Sequence, residues 1–303
     1  MTSISDYCST ISREATEPLW GTARHAERWL LIEYQAAWPA KVLKSGLLPD
    51  ALMRQLDSLQ QAFPGFHTLF VRQGYTRSGP LRAFLIDCRE GVASIQRLEF
   101  DDYEELASMD LAGYLAGRQH GVSEAALYLV CTHGTHDKCC AKFGLPVHAA
   151  LSARHPDRVW EASHLGGHRF AANMICFPTG VLYGRVTPEI APRLIESDAR
   201  GELDLSHYRG RFALAPPVQA AEYFIRTQLS LPRIADLRQD RCTQIDRDHW
   251  SVSFRADGTD LVHQAIVELS GEPLQVLKDC EASALEPVRA FVLADYRIGE
   301  AQI

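Results

Sequence analysis

The residues of this chain best suited to chemistry are two close-spaced pairs of metal-binding side chains. Cys131 and Cys140 bound the run Cys131-Thr-His-Gly-Thr-His-Asp-Lys-Cys-Cys140, and His164 and His168 lie in Ser163-His-Leu-Gly-Gly-His-Arg-Phe170. Two thiolates from one loop and two imidazoles from the next can hold a metal centre from two sides. A binuclear iron-sulfur core needs four protein ligands divided between two irons. The cysteine pair suits one iron and the histidine pair the other, the division found in Rieske-type centres, and such mixed ligation raises the potential. Gly166 and Gly167 permit positive backbone dihedrals, so the loop can fold back and aim both rings at one point. An imidazole on ferric iron has its remote N–H acidified, which couples electron and proton uptake; both rings are then expected to be exposed at one edge.

Rival readings of the same residues stay open. His-x3-His suits zinc, although Cys-x8-Cys is wider than the usual zinc knuckle, and zinc would make this a metal-stabilised binding or scaffold module. A thiol-disulfide oxidoreductase using Cys139 or Cys140 is a third reading, weakened because no Cys-x-x-Cys is present. Cys139 directly precedes Cys140 and offers a competing thiolate. His133, Cys139 and Arg169 are candidates for the side chains that surround the ligands, and His133 and His136 could be ligands themselves but are expected to touch ligands or face solvent. Arg169 is expected to steer an acidic partner or to join a surface salt bridge. Asp137 should begin a helix, and Lys138 should be exposed. Cys8, Cys88, Cys176, Cys242 and Cys280 have no partner spacing and read as buried apolar residues.

The elements that must position these side chains follow from hydrophobic periodicity. Leu48, Leu52, Leu56 and Leu59 mark a helix over 47–62, ended by Pro64-Gly65. Strand-like runs follow at 68–72, 81–88 and 93–100, then a helical pattern from Asp101-Asp102 to Leu115. Residues 125–130 have the unbroken apolar character of a strand buried on both faces, and it delivers Cys131 at its carboxyl end. A helix over 139–154, interrupted at Gly144/Pro146, leads to a strand at 159–162, which delivers His164 in the same way. A hairpin over 171–186 turns at Pro178-Thr179-Gly180, with helices expected at 188–195 and 217–229. Beyond a mixed-charge, solvated stretch at 233–247, strands are expected at 250–254, 261–269 and 274–277, then a helix over 283–294.

Bulk composition narrows the function classes. With 303 residues, 46% of them hydrophobic, the chain can bury a large core, and its net charge of -7 with no basic stripe argues against nucleic-acid binding. Residues 1–20 lack the features of a secretory leader, and no apolar run is long enough to cross a bilayer, so a cytoplasmic protein is expected. Eight cysteines, unevenly placed, read as metal or redox chemistry rather than a disulfide framework. No Gly-x-Gly-x-x-Gly segment marks a nicotinamide or flavin domain, so the electron donor or acceptor is expected to be a separate reductase or partner protein. Homodimer formation is compatible with the sequence.

The Cys-x8-Cys run, Ser163-His-Leu-Gly-Gly-His-Arg-Phe-Ala-Ala-Asn173 and Pro178-Thr-Gly-Val-Leu-Tyr-Gly-Arg185 together resemble the sucrase/ferredoxin-like family, whose members include thioredoxin-like ferredoxins with a bis-histidinyl 2Fe-2S centre. Glu17-Pro-Leu-Trp-Gly-Thr22, Arg209-Gly-Arg211 and Gln219-Ala-Ala-Glu222 extend the resemblance over most of 17–230. It implies Cys131, Cys140, His164 and His168 as cluster ligands within a thioredoxin-like βαββ arrangement. It does not imply sugar hydrolysis, for which no distinguished pair of carboxylates is seen. The expected architecture is mixed α/β: an N-terminal α+β segment (1–120), a thioredoxin-like ferredoxin domain (121–231) and a strand-rich C-terminal segment (232–303) able to pack on the first. The expected function is proton-coupled electron transfer by a 2Fe-2S cluster, an electron carrier with no catalytic residues rather than a stand-alone enzyme.

Overall fold

The computed structural model describes residues 7–74 and 79–300. Residues 1–6, part of the stretch read for a leader, lie outside the described residues. In chain order the elements are α1 (Cys8–Glu14), β1 (Arg28–Glu33), α2 (Asp50–Ala62), β2 (Phe66–Arg72), β3 (Leu81–Asp87), β4 (Ser94–Phe100), α3 (Tyr103–Ser108), α4 (Leu111–Leu115) and β5 (Val122–Ser123). Next come β6 (Leu127–Cys131), α5 (Lys138–Ser152), β7 (Val159–Ala162), β8 (Met174–Phe177), β9 (Val181–Tyr183), α6 (Ala191–Ala199), β10 (Tyr208–Arg211) and α7 (Pro216–Leu229). The remainder is β11 (Leu237–Gln244), β12 (His249–Ala256), β13 (Leu261–Leu269), β14 (Leu274–Val276), β15 (Glu286–Val288) and β16 (Phe291–Glu300). The fold is mixed α/β, as expected.

Ten strands form one sheet in the order β10-β9-β8-β6-β7-β2-β1-β3-β4-β5, and the β2–β7 pair joins the N-terminal strands to the central ones. Every residue of β6 and β7 is buried, which explains their lack of polar alternation. β6 and β7 are parallel with Cys131 opposite Ala162, so the loops that follow Cys131 and Ala162 leave the sheet at the same end. β8 is antiparallel to β6 and β9 to β8, giving the local order β7-β6-β8-β9. Helix α2 lays Leu52, Leu56 and Leu59 against Leu30, Ile32 and Phe70 on one sheet face, while α5 and α6 cover Tyr128, Val130 and Met174.

Helix α5 passes through Gly144 and Pro146 without interruption. Pro146 and Lys142, whose carbonyl loses its helical donor, are both exposed, so water can replace the missing bond. Gly144 is a point of contact instead: a Cβ there would lie 1.9 Å from the Cys131 carbonyl oxygen. Only glycine lets the helix approach the strand end this closely, and one turn earlier the same helix carries Cys140.

Three expectations change. The helix expected over 101–115 is two helices, because Met109 turns extended and the Asp110 side chain accepts from Gly113 N–H to start α4 afresh. Residues 283–294 form no helix but hold the short strand β15 and the start of β16: Pro287 lacks the N–H a helix interior needs, and Phe291–Glu300 pairs along the whole of β13. The mixed-charge stretch 233–247 is exposed over most of its length, as read, but contains the edge strand β11.

The four-stranded sheet β11-β12-β13-β16 packs Val252, Phe254, Ala265 and Val267 onto Val218, Ala221 and Ile225 of α7. It also touches the N-terminal segment, where Trp20 Nε1 donates to Phe291 O. In the middle of α7, Glu222 is buried with Arg211, Arg226 and the Tyr208 hydroxyl. Burial pushes the Glu222 carboxyl up, but the two guanidinium groups outweigh it and hold it at about 2. Among the described residues no helix is long and apolar enough to cross a membrane.

Gly144→Ala should lower stability by about 2 kcal/mol or more, because the added methyl group collides with backbone and not with a movable side chain. Urea unfolding checks this, and an unchanged midpoint would mean that α5 does not press on Cys131.

Candidate metal centre

Cys131 is the last residue of β6 and Cys140 lies in the first turn of α5, both buried. The two thiols face each other, and their interaction holds the Cys131 thiol below its ordinary value and pushes that of Cys140 up. His164 follows β7 and presents Nδ1 at 3.7 Å from Cys140 Sγ. The donor atoms of Cys131, Cys140 and His164 lie within 4.8 Å of one another.

His168 extends this set instead of closing it. Its ring centroid is 5.3 Å from that of His164, and its donor atom falls within 4.8 Å of those of His136 and His164 in a second, overlapping set. The His168 Nε2–H donates to Lys278 O at 2.7 Å, leaving a buried Nδ1 with no hydrogen-bond partner among the described residues. A ring pinned by one nitrogen on a carbonyl, with its other lone pair free, is oriented as metal-ligating histidines are. The His136 ring stacks on that of His164 at 3.8 Å and is itself exposed.

The two histidines meet the surface unequally, and His164 borders an open depression. Both are half-buried, and the His168 side chain is only 16% exposed because the Lys278 segment covers it. Burial leads in lowering the pKa of His164, while contact with Cys131 opposes it.

The loop that carries the histidines is held from beneath. Gly166 and Gly167 adopt φ of 90° and 67°, and a Cβ on Gly167 would lie 2.4 Å from Arg209 Nη2. The buried Arg209 donates to Gly166 O, Asn173 Oδ1 and Thr22 O, and Asn173 donates back to Gly167 O. His133 is buried, accepts from the His164 N–H at Nδ1 and donates from Nε2 to Pro39 O, so it fixes the backbone of a candidate ligand. Arg169 joins a salt bridge, as one of its two readings had it, but with a buried partner: it pairs with Glu17 at 2.8 Å and lies over the Phe170 ring.

Asp137 caps α5, as read, accepting from Cys139 N–H, and Lys138 is exposed. Cys139 turns away from Cys140, and its Sγ meets Cys8 and Cys280. Cys8 is buried, as read, although it meets Cys139 and Cys280; the reading of Cys280 and Cys242 as buried apolar residues is corrected, since Cys280 is half-buried and Cys242 exposed. Cys88 and Cys176 are buried, as expected. Sequence reading missed Cys8, Cys280 and the Lys278 carbonyl because each lies more than a hundred residues from its contacts. Arg209 and Asn173 stood in the quoted motifs without a role.

This fold, with thiols and imidazoles gathered at the carboxyl ends of two parallel strands, defines a mixed α/β protein with a candidate Cys/His metal centre. The chain belongs to the sucrase/ferredoxin-like family, whose model matches residues 19–210. Among curated proteins, it is 31% identical over 100 residues to Altered inheritance of mitochondria protein 32 of Meyerozyma guilliermondii, covering 28% of this chain and 34% of that protein. It is 35% identical over 95 residues to the protein of the same name from Debaryomyces hansenii, covering 28% and 35%. The chain thus spans about a third of the length of these relatives. No solved structure matches it.

Arg209→Ala should strand the buried Asn173 Oδ1, at about 1–3 kcal/mol, release the half-buried Gly166 and Thr22 carbonyls, and loosen the histidine loop. Hydrogen exchange should show faster exchange at 164–168 than in the wild type; wild-type protection there would remove Arg209 from its supporting role.

Proposed function

We propose that this chain is an electron-transfer protein that holds a 2Fe-2S cluster, with Cys131 and Cys140 on one iron and His164 and His168 on the other, on a thioredoxin-like βαββ unit. The observation that carries this reading is the free, buried Nδ1 of His168, standing beyond the compact Cys131-Cys140-His164 set. Four ligands of a single ion would all crowd together, whereas a donor displaced along a line from two thiols supports a centre with two metals. When bound, such a cluster supplies one-electron chemistry at a potential raised by its imidazole ligands.

The protein's own part is to fix the donors and hold protons. Asp137 starts the helix that carries Cys140, His133 and Arg209 shape the histidine loop, and Lys278 O keeps the His168 proton on Nε2. His164 Nε2 has no such partner among the described residues, so proton exchange is assigned to His164. Beside His136 and His164 lies an open depression lined also by Lys41, Leu43 and Lys44, a fitting approach for a separate acidic redox partner. The chain then acts as a cytoplasmic electron carrier and not as a stand-alone enzyme.

One observation favours a second reading. The 3.7 Å between Cys140 Sγ and His164 Nδ1 is that of two donors on one ion, so a zinc ion held by Cys131, Cys140 and His164 would need no rearrangement, whereas His164 must withdraw from the sulfur to serve a second iron.

Protein purified without oxygen should contain iron and acid-labile sulfide in equal amounts and be red-brown, and Cys131→Ser should abolish both. His164→Cys and His168→Cys should keep a cluster at lower potential, with His164→Cys losing more of the pH dependence. A colourless protein with zinc in these positions selects the second reading, and unchanged pH behaviour in both variants removes the proton coupling.

A further inference from the structure

We propose a second metal site in this chain: Cys8, Cys139 and Cys280 form a three-thiolate pocket for one zinc ion, which fastens the N-terminal helix and a C-terminal turn to the start of α5. The three sulfurs make a closed triangle, with Cys8–Cys139 at 3.6 Å, Cys139–Cys280 at 3.1 Å and Cys8–Cys280 at 3.5 Å. Tetrahedral zinc with bonds of about 2.3 Å places its sulfurs about 3.8 Å apart, so a slight widening seats the ion. The triangle is too tight for an iron-sulfur core, whose thiolates are spread over separate irons.

The triangle is not ordinary apolar packing. Its donors come from α1, from the first turn of α5 and from the loop between β14 and β15, pieces separated by 131 and 141 residues. The surroundings already place hydrogen-bond donors on sulfur, as thiolate ligands require: Ser9 Oγ lies 3.2 Å from Cys139 Sγ, and Cys8 N–H donates to Cys280 Sγ at 3.4 Å. Asp137 belongs to the same donor set and offers the fourth position. Its Oδ1 accepts from Cys139 N–H and its Oδ2 from Cys280 N–H, and each oxygen keeps a lone pair. Cys8 and Cys139 are fully buried, while Cys280 is half-buried and leaves the ion a way in.

The site also reaches the first one. Lys278, whose carbonyl holds the His168 ring, lies two residues before Cys280, and Asp137 Oδ2 is 4.0 Å from His168 Nε2. An ion on Cys280 would therefore steady the segment that covers His168.

The test uses full-length protein carrying Cys131→Ser and Cys140→Ser, so that it reads this site whether or not the first holds a cluster. Cobalt(II) added under reducing conditions should give an intense near-ultraviolet sulfur-to-cobalt band and tetrahedral visible bands, both displaced by an equivalent of zinc. Adding Cys8→Ser or Cys280→Ser should weaken binding by more than roughly tenfold. In otherwise wild-type protein, Cys280→Ser should remove zinc from the isolated protein while leaving iron and sulfide in place. The proposal is overturned by the absence of the cobalt band, by cobalt binding that survives both added substitutions, or by a Cys139–Cys280 disulfide in freshly isolated protein. Cys280 is partly exposed, so its serine variant should fold; if it does not, the cobalt spectrum of the Cys131→Ser/Cys140→Ser protein decides alone.

Discussion

The contact on which the site depends is the seating of a helix directly on the end of a strand, where the Cα of Gly144 faces the carbonyl of Cys131 with no room for another carbon. It sets the distance between β6 and α5, and so the distance between two thiols nine positions apart in the chain. The parallel pairing of β6 with β7 then brings the next loop, with His164, to the same sheet end. Ligands of open α/β sheets commonly bind beyond the carboxyl ends of strands, because loops there converge while the strands stay rigid. Here both metal-ligand loops spring from completely buried strands, so their bases cannot shift without opening the core.

Around that contact the polar groups are arranged to hold backbone more than to meet solvent. Arg209 ties Gly166, Asn173 and Thr22 together, Arg185 donates to Ser12 and Glu17 carbonyls, and Arg169 closes on Glu17. These are buried or half-buried charges whose desolvation is offset by several hydrogen bonds each, an arrangement that favours one loop geometry over its alternatives. Such a frame suits a redox centre, which works best when its ligands move little between oxidation states.

Much of this was legible in the sequence where one element contains its own signal. The β6 and 159–162 strands appear with nearly the expected bounds, and the hairpin turns at 178–180 as expected though its strands, 174–177 and 181–183, are shorter than the 171–186 read, because apolar runs and turn residues are local features. The convergence of Cys131, Cys140 and His164 was readable from their placement just after or before such elements. What could not be read depends on distant pairing: residues 283–294 carry a helix-compatible composition, but 286–288 pair with β14 and the chain from Phe291 onward pairs with β13. The Cys8-Cys139-Cys280 triangle likewise has no local spacing, since its members meet only once both ends of the chain have docked. Gly144 is instructive in the opposite sense, for its presence was noticed as a break in a helix, whereas its role is to let that helix continue at close range.

The proposed 2Fe-2S centre stands most directly on the nature of the donors that would reach its irons. Nitrogen hyperfine spectroscopy on the dithionite-reduced protein reads those donors without reference to any partner. Two inequivalent, strongly coupled nitrogens should appear, with one lost in His168→Cys and the other in His164→Cys. A reduced centre with no directly bound nitrogen, or protein that holds no paramagnetic centre after anaerobic purification, would contradict it.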